Sequence, residues 1–257
     1  MCDQHTRLHG LTKVVTMLPP SALEGGTSEL LRRLRDPDTR AEYRAFGQPL
    51  FKMGLINEWE RIALFEARNS PDFVGKDFRT IGEERNQHPI EALMDILLEA
   101  GDDAPNVLMT GLVHKEEELE RTFVHPWCMP ESDATALAVD GPLAGQSFLG
   151  AYTWATYYLR RFVRERGSLS LEEGVRRLTQ LPAQRLGVSN RGVVREGACA
   201  DLVVFDATTI GEVGTVRAPN QYATGVRHVM VNGRFALHDG AFTNERGGAV
   251  LRRGHLH

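Results

Sequence analysis

The pattern of apolar residues changes near residue 190, and this break most limits what the chain can fold into. Before it, strand-like runs alternate with amphipathic helical stretches; after it come only short apolar runs divided by glycine turns. An α/β segment followed by a small all-β module is the arrangement this order implies, with parts at 1–190 and 191–257. In the first part, Lys13–Leu18 reads as a strand stopped by Pro19-Pro20. A helix then opens at Thr27 or Ser28, with Leu30, Leu31 and Leu34 on one face, until Asp36-Pro37 breaks it. Arg61–Phe65 reads as a strand, Gly75–Arg85 as a loop with a brief helix, and Pro89–Ala100 as a helix stopped by Gly101. Val107–Met109 and Thr122–Val124 read as short strands around a charged turn, Lys115–Glu120. A helix over about 151–166 carries Trp154, Tyr158, Leu159, Phe162 and Val163. Ser170 with Glu173 forms a capping box for the next helix, and Pro182–Leu186 adds a turn closed by Gly187. In the second part, strands are expected at 201–206, 226–231, 234–238 and 249–252, with Asn232-Gly233 as a hairpin turn.

Composition narrows the class of function. With 30 Lys and Arg against 34 Asp and Glu, the net charge is −4, and no basic block offers a footprint for nucleic acid. No apolar run reaches the roughly 18–20 residues of a membrane span, and the polar start, Met1-Cys2-Asp3-Gln4-His5, has no signal-peptide core. The three cysteines, Cys2, Cys128 and Cys199, are widely spaced and form no CxxC, which suits a reducing compartment. A soluble cytoplasmic protein is therefore expected. GxGxxG, Walker A, GxSxG and HExxH motifs are absent, so the usual nucleotide, esterase and zincin patterns have no support.

What remains for chemistry is a scatter of His and Asp near strand ends. Asp133 follows a short strand and precedes a loop rich in Gly, Pro and Ala; a carboxylate there is either a turn residue or a group at the ligand-collecting end of a β/α array. His5 and His9 lie at or just before the first strand, where a neutral imidazole could share a zinc ion with Asp133 or simply face solvent. His125, before Pro126, reads as a turn histidine, and His255-Leu256-His257 as a solvated tail. Glu116-Glu117-Glu118 reads as a solvated helix face, and the Trp154–Val163 stripe as core.

Taken together, several stretches resemble the C-terminal part of the N-acyl-D-amino-acid deacylases (D-aminoacylases) of the metal-dependent amidohydrolase superfamily. They are Met17–Gly26, Leu34–Arg40, Ser132-Asp133, Leu169–Thr179, Leu181–Gly187, Arg191–Asp206 and His228–Gly233. The run Gly-x-x-Ala-Asp-Leu-Val-Val-Phe-Asp followed by Val-x-Val-Asn-Gly is specific to the superfamily, and the Leu-Pro-Pro and Leu-Arg-Asp-Pro stretches narrow it to the deacylases. The resemblance implies the C-terminal part of a TIM-type (β/α)8 amidohydrolase barrel over 1–190, followed by a small β-sandwich module over 191–257. It implies one or two zinc ions at the strand ends. Asp133 is then metal ligand and catalytic base, with His5 a further metal ligand. The implied reaction is hydrolysis of a non-peptide C–N amide bond, with an N-acyl-D-amino acid as substrate and zinc-activated water as nucleophile.

Two departures bear on this expectation. The family's HxH pair, its bridging cysteine or carboxylated lysine and a further barrel histidine have no counterpart here. The chain therefore reads as a C-terminal portion, one that would self-associate or be complemented by an N-terminal chain. The arginine that follows the family's late-strand Asp is also missing from Gly141–Gly150, so no substrate-binding residue is assigned. The alternatives are a cyclic-amide hydrolase of the dihydroorotase or hydantoinase type, and a non-catalytic scaffold that lost its metal site.

Overall fold

A computed structural model describes residues 1–46 and 57–251. The expected tail motif at His255 and His257 lies outside the described residues. The strands are β1 (Cys2–His5), β2 (His9–Lys13), β3 (Ile62–Glu66), β4 (Leu108–Leu112), β5 (Cys128–Glu131), β6 (Leu202–Phe205), β7 (Val226–Val231), β8 (Arg234–His238) and β9 (Ala241–Phe242). They form three sheets, ordered β1-β5, β2-β4-β3 and β6-β7-β8-β9. The β1-β5 pair is parallel; the other pairings are antiparallel. The chain divides into two compact units, Leu8–Val113 and a unit made of Met1–Arg7 with His114–His257.

Within Leu8–Val113, the sequence pattern and the structure agree most closely. The helix Pro89–Ala100 begins with Pro89 in its first turn and ends at Gly101, whose φ of 57° suits a residue without a Cβ. Its Leu93, Met94, Ile96 and Leu97 are fully buried. They join one cluster with Leu30 and Leu34 of the helix Thr27–Leu34, Ile62 and Leu64 of β3, Ile81, and Met109 of β4. Asp36 does end the first helix, but it also starts the next. Its carboxylate accepts from Thr39 N at 3.0 Å and from the Thr39 hydroxyl, at the head of Pro37–Phe46. The strand expected at Lys13–Leu18 is instead placed earlier, as β2, and Val14–Met17 is a 3₁₀ turn. The reason is burial: Val14, Val15, Met17 and Leu18 are all buried, which an alternating strand with one wet face cannot achieve.

In the other unit, the expected strand at Thr122–Val124 is helical. The helix Glu116–Phe123 runs through Thr122 because Leu119 and Phe123, four residues apart, are buried on one face. The strand of this region comes next, as β5. The helix Trp154–Tyr158 continues into a π-helical segment, Leu159–Glu165, and its Tyr158 and Phe162 pack edge-on against Phe123 with centroids 5.2 and 4.7 Å away. Ser170 caps Leu171–Leu178 as expected, accepting from Glu173 N at 3.2 Å. Gly174 on this helix lies so close to its neighbour that a Cβ would sit 2.6 Å from Val163 Cγ2. Of the four late strands expected, three form; residues 249–251 are irregular, and Ala241–Phe242 pairs with β8 instead. No helix among the described residues is long and apolar enough to cross a membrane.

Candidate metal and proton-transfer site

The parallel pairing of β1 with β5 sets the geometry. The register matches Cys2 with Cys128 and His5 with Glu131, so both strands end at the same edge, where the carboxyl ends of parallel strands open toward solvent. Side chains alternate along a strand, which puts Asp3, His5 and Glu131 on one face of this pair. Two residues beyond β5, Asp133 adopts φ 43°, a left-handed conformation that Asp and Asn tolerate better than most residues. Its backbone N–H donates to Glu131 Oε2, forming a tight turn that holds the Asp133 backbone over the strand end.

His5 is half-buried, and burial is the largest influence on it, lowering its pKa below 6.5. The nearby Asp133 carboxylate opposes this, and His114 adds to the lowering. At neutral pH the ring is therefore uncharged. Its Nδ1 lies 3.1 Å from the carbonyl of Arg7, a group that can only accept, so Nδ1 carries the proton and Nε2 presents a lone pair. This is the tautomer arrangement found at metal-binding histidines. The His114 ring is 6.4 Å away, centroid to centroid, and burial lowers its pKa as well. Glu131 is pushed the other way, its carboxyl raised by burial in spite of the Asp133 N–H.

Of the residues singled out in the sequence, the structure brings His5 and Asp133 together. His125 sits in a turn, with its Nδ1 accepting from Trp127 N at 3.4 Å. His9 lies in β2, in the other unit, half-buried and with its pKa lowered by burial. Sequence reasoning missed Glu131 and His114. Glu131 had a readable signal, since it stands two residues before Asp133 and shares its strand parity. His114 had a weaker one, as the second residue past the end of β4.

The arginine missing from Gly141–Gly150 has a neighbour at this site. Arg7 follows His5 by two residues, but its guanidinium is paired with the carboxylate of Glu212, donates to Thr153 Oγ1 at 2.6 Å and stacks 4.2 Å from the Tyr157 ring. It is committed within the fold.

A zinc ion takes nitrogen, sulfur or oxygen donors, three of them from protein in a catalytic site. Asp133 and His5 fit in kind, one a carboxylate and the other a neutral imidazole with a free Nε2. They fall short in number. Among the described residues, the set of three converging donor atoms lies elsewhere, at His228, His238 and Asp239.

Residues 136–236 match the model of the Amidohydrolase family. An N-acyl-D-glutamate deacylase of Alcaligenes xylosoxydans xylosoxydans is 38% identical over 140 residues, covering 54% of this chain and 27% of that protein. An N-acyl-D-aspartate deacylase of the same organism is 34% identical over 191 residues, covering 73% of this chain and 35% of that protein. Over these stretches the chain is similar to the D-aminoacylase group of amidohydrolases. A crystal structure of N-acyl-D-glutamate deacylase from Bordetella bronchiseptica, complexed with zinc and a phosphonate inhibitor, superposes with a TM-score of 0.60 at 24% identity. That match covers 91% of this chain and 39% of the crystallised one. The chain thus matches 27% and 35% of the length of the two curated relatives.

Proposed function

We propose that this chain carries part of the active site of a metal-dependent amidohydrolase that cleaves the C–N amide bond of an N-acyl-D-amino acid. The observation that supports it most is the meeting of Asp133 with the neutral, tautomer-fixed His5 at the carboxyl end of a parallel strand pair. The names of the curated relatives supply the substrate class. On this reading, residues 1–190 are the late part of a (β/α)8 barrel and 191–257 a β-sandwich module.

Zinc, when bound, would polarise the amide carbonyl and acidify the attacking water. The chain's own part is proton handling. Asp133, exposed at the strand edge, takes the proton of the attacking water and returns it to the leaving amine nitrogen. His5 holds its ring fixed through the Arg7 carbonyl and offers Nε2 as a donor. Glu131, kept closer to its neutral form by burial, fixes the turn that presents Asp133. Two donors do not close a zinc site, so further ligands from a complementing chain or a second copy are part of the proposal. The Arg7–Glu212 pair favours keeping the cyclic-amide reading as an alternative, because the arginine nearest the site is not available to a substrate carboxylate.

The test is hydrolysis of N-acetyl-D-glutamate, N-acetyl-D-aspartate and a cyclic imide by the zinc-loaded protein, beside Asp133→Asn. Asparagine tolerates the left-handed turn, so the variant should fold and lose at least about 100-fold in kcat, as expected for a removed general base. Equal rates in parent and variant would overturn the assignment of Asp133. No turnover on any substrate, in a protein that folds and has zinc bound, would favour the scaffold reading.

A further inference from the structure

We propose that the turn end of the β7–β8–β9 meander is a transition-metal site of its own, formed by His228, His238 and Asp239. The pairing Val229↔Leu237 places His228 opposite His238 on neighbouring strands. A bulge follows, because the next partners are Met230 and Phe235, and it turns Phe235 toward the two imidazoles. Phe235 stands edge-on to His238 with centroids 4.6 Å apart and lies 5.8 Å from His228, while the two imidazole centroids are 4.9 Å apart. The rings are therefore held side by side against an aromatic backing.

Asp239 and Gly240 then reverse the chain with φ values of 47° and 78°, the pattern of a two-residue hairpin turn. Gly240 N–H donates to the carbonyl of Arg227 at 2.9 Å, which folds the turn back toward β7. The Asp239 carboxylate comes to 3.6 Å from His228 Nε2 and 3.4 Å from His238 Nδ1. One donor atom from each of the three residues lies within 4.8 Å of the others. Metal–ligand bonds of about 2.0–2.2 Å require donors about 3–3.5 Å apart, so a closure on the order of 1 Å at an exposed turn completes the set. Two imidazoles and one carboxylate suit Zn(II), Ni(II) or Cu(II) and not the all-oxygen preference of Mg(II) or Ca(II). Three protein donors leave the remaining positions to water or to a donor from another molecule.

The site has a built-in marker. Asp239 N–H donates to His228 Nδ1 at 3.2 Å, so without metal that nitrogen accepts and the proton sits on Nε2. Coordination through Nε2 moves the proton to Nδ1 and gives up this hydrogen bond, which makes the affinity moderate and the tautomer change observable.

The experiment titrates ZnCl2 into the full chain by calorimetry and by long-range ¹H–¹⁵N spectra of the imidazoles. A His5→Ala/Asp133→Asn background removes the other candidate donors, and His255→Ala/His257→Ala removes the tail. In both backgrounds one equivalent should bind, with His228 changing tautomer. His228→Ala/His238→Ala should weaken binding at least tenfold. Asp239→Asn keeps a residue that accepts positive φ, so it tests the carboxylate without losing the turn, and should also weaken binding. Zinc binding that survives the double histidine variant made in the His5→Ala/Asp133→Asn background, that disappears in that background with His228 and His238 intact, or that leaves the His228 tautomer unchanged would overturn the proposal.

Discussion

The two units of the chain hold themselves together by different means. Leu8–Val113 gathers its apolar side chains into one cluster running from Val14 to Met109. The unit that carries Asp133 buries a smaller set around Phe123, Tyr158 and Phe162, with Leu119, Leu159 and Val163 beside them, and past Leu181 the buried residues among those described are Ile210, Gly211 and Pro219. Ionic and capping contacts supplement this packing. Arg161 of the π-helical segment and Arg166, the residue just past its end, tie Glu116 and Glu120 of one helix to that segment, at 2.5 and 3.1 Å for the two Glu116 pairs. Arg177, 2% exposed, sits behind the turn into β5. Its guanidinium donates to the carbonyls of Phe123, Val124 and His125 and to Glu173, the His125 contact at 2.5 Å. The Phe123 and Val124 carbonyls lie at the end of the helix Glu116–Phe123, where backbone carbonyls lack helical partners, so one arginine both caps a helix and braces the turn into β5. The contrast shows that the site-bearing region depends on a few polar residues with no substitute nearby, whereas the other unit spreads its stability over many.

The largest effect that would sharpen this contrast is expected at Arg177. Arg177→Ala leaves the carbonyls of Phe123 and Val124 without their guanidinium donor, while Glu173 keeps Arg176, and the loss of several charge-assisted bonds should cost about 3–5 kcal/mol in urea unfolding. Hydrogen exchange should accelerate over residues 116–131 and stay slow in Pro89–Ala100; uniform acceleration would break the distinction. Leu93→Ala, in the fully buried helix of the other unit, should cost about 2–5 kcal/mol with the opposite exchange pattern.

Acid should weaken both units together. His5 and His114 on one side, and His9 and His88 on the other, all have pKa values lowered from 6.5, each chiefly by burial. The unfolded chain binds these protons more readily, so their contribution is intact above pH 6.5 and is lost as pH falls through the lower folded values. The urea midpoint should therefore drop between about pH 7 and pH 5, and a flat profile would contradict it. The smallest effect is expected at Tyr158. Its hydroxyl is buried without a hydrogen-bond partner among the described residues, so Tyr158→Phe should change stability by less than about 1 kcal/mol or raise it.

Much of this fold can be read from the chain because local signals agreed with burial. Pro89, Gly101, Ser170 with Glu173, and Asn232-Gly233 each mark a boundary whose chemistry is local. The misreadings have a common cause. Val14–Met17 and Thr122–Phe123 are β-branched or aromatic runs whose propensity favours a strand, and tertiary burial on consecutive or four-spaced positions overrides it. The strand-end pattern and the family resemblance single out Asp133 and His5 as candidates, whereas Glu131 and His114 are not picked out. His5 meets Asp133 through a parallel pairing between distant segments, which no local window contains, and the His228–His238 pair depends on a bulge that shifts the register.

That distant pairing has a consequence for the order of folding. β1 and β5 are separated in sequence by the whole Leu8–Val113 unit, and closing so long a loop in an unfolded chain carries a large entropic cost. The unit between them removes most of it by itself. Its own first and last strands are neighbours, with His9 paired to Leu112 and Val113 N–H donating to the carbonyl of Leu8 at 3.0 Å. Once that inner sheet forms, the two flanking segments leave from adjacent points, and β1 needs only a short search to find β5. The pairing of His5 with the Asp133 edge is then a late event, delayed by any slowing of the inner unit.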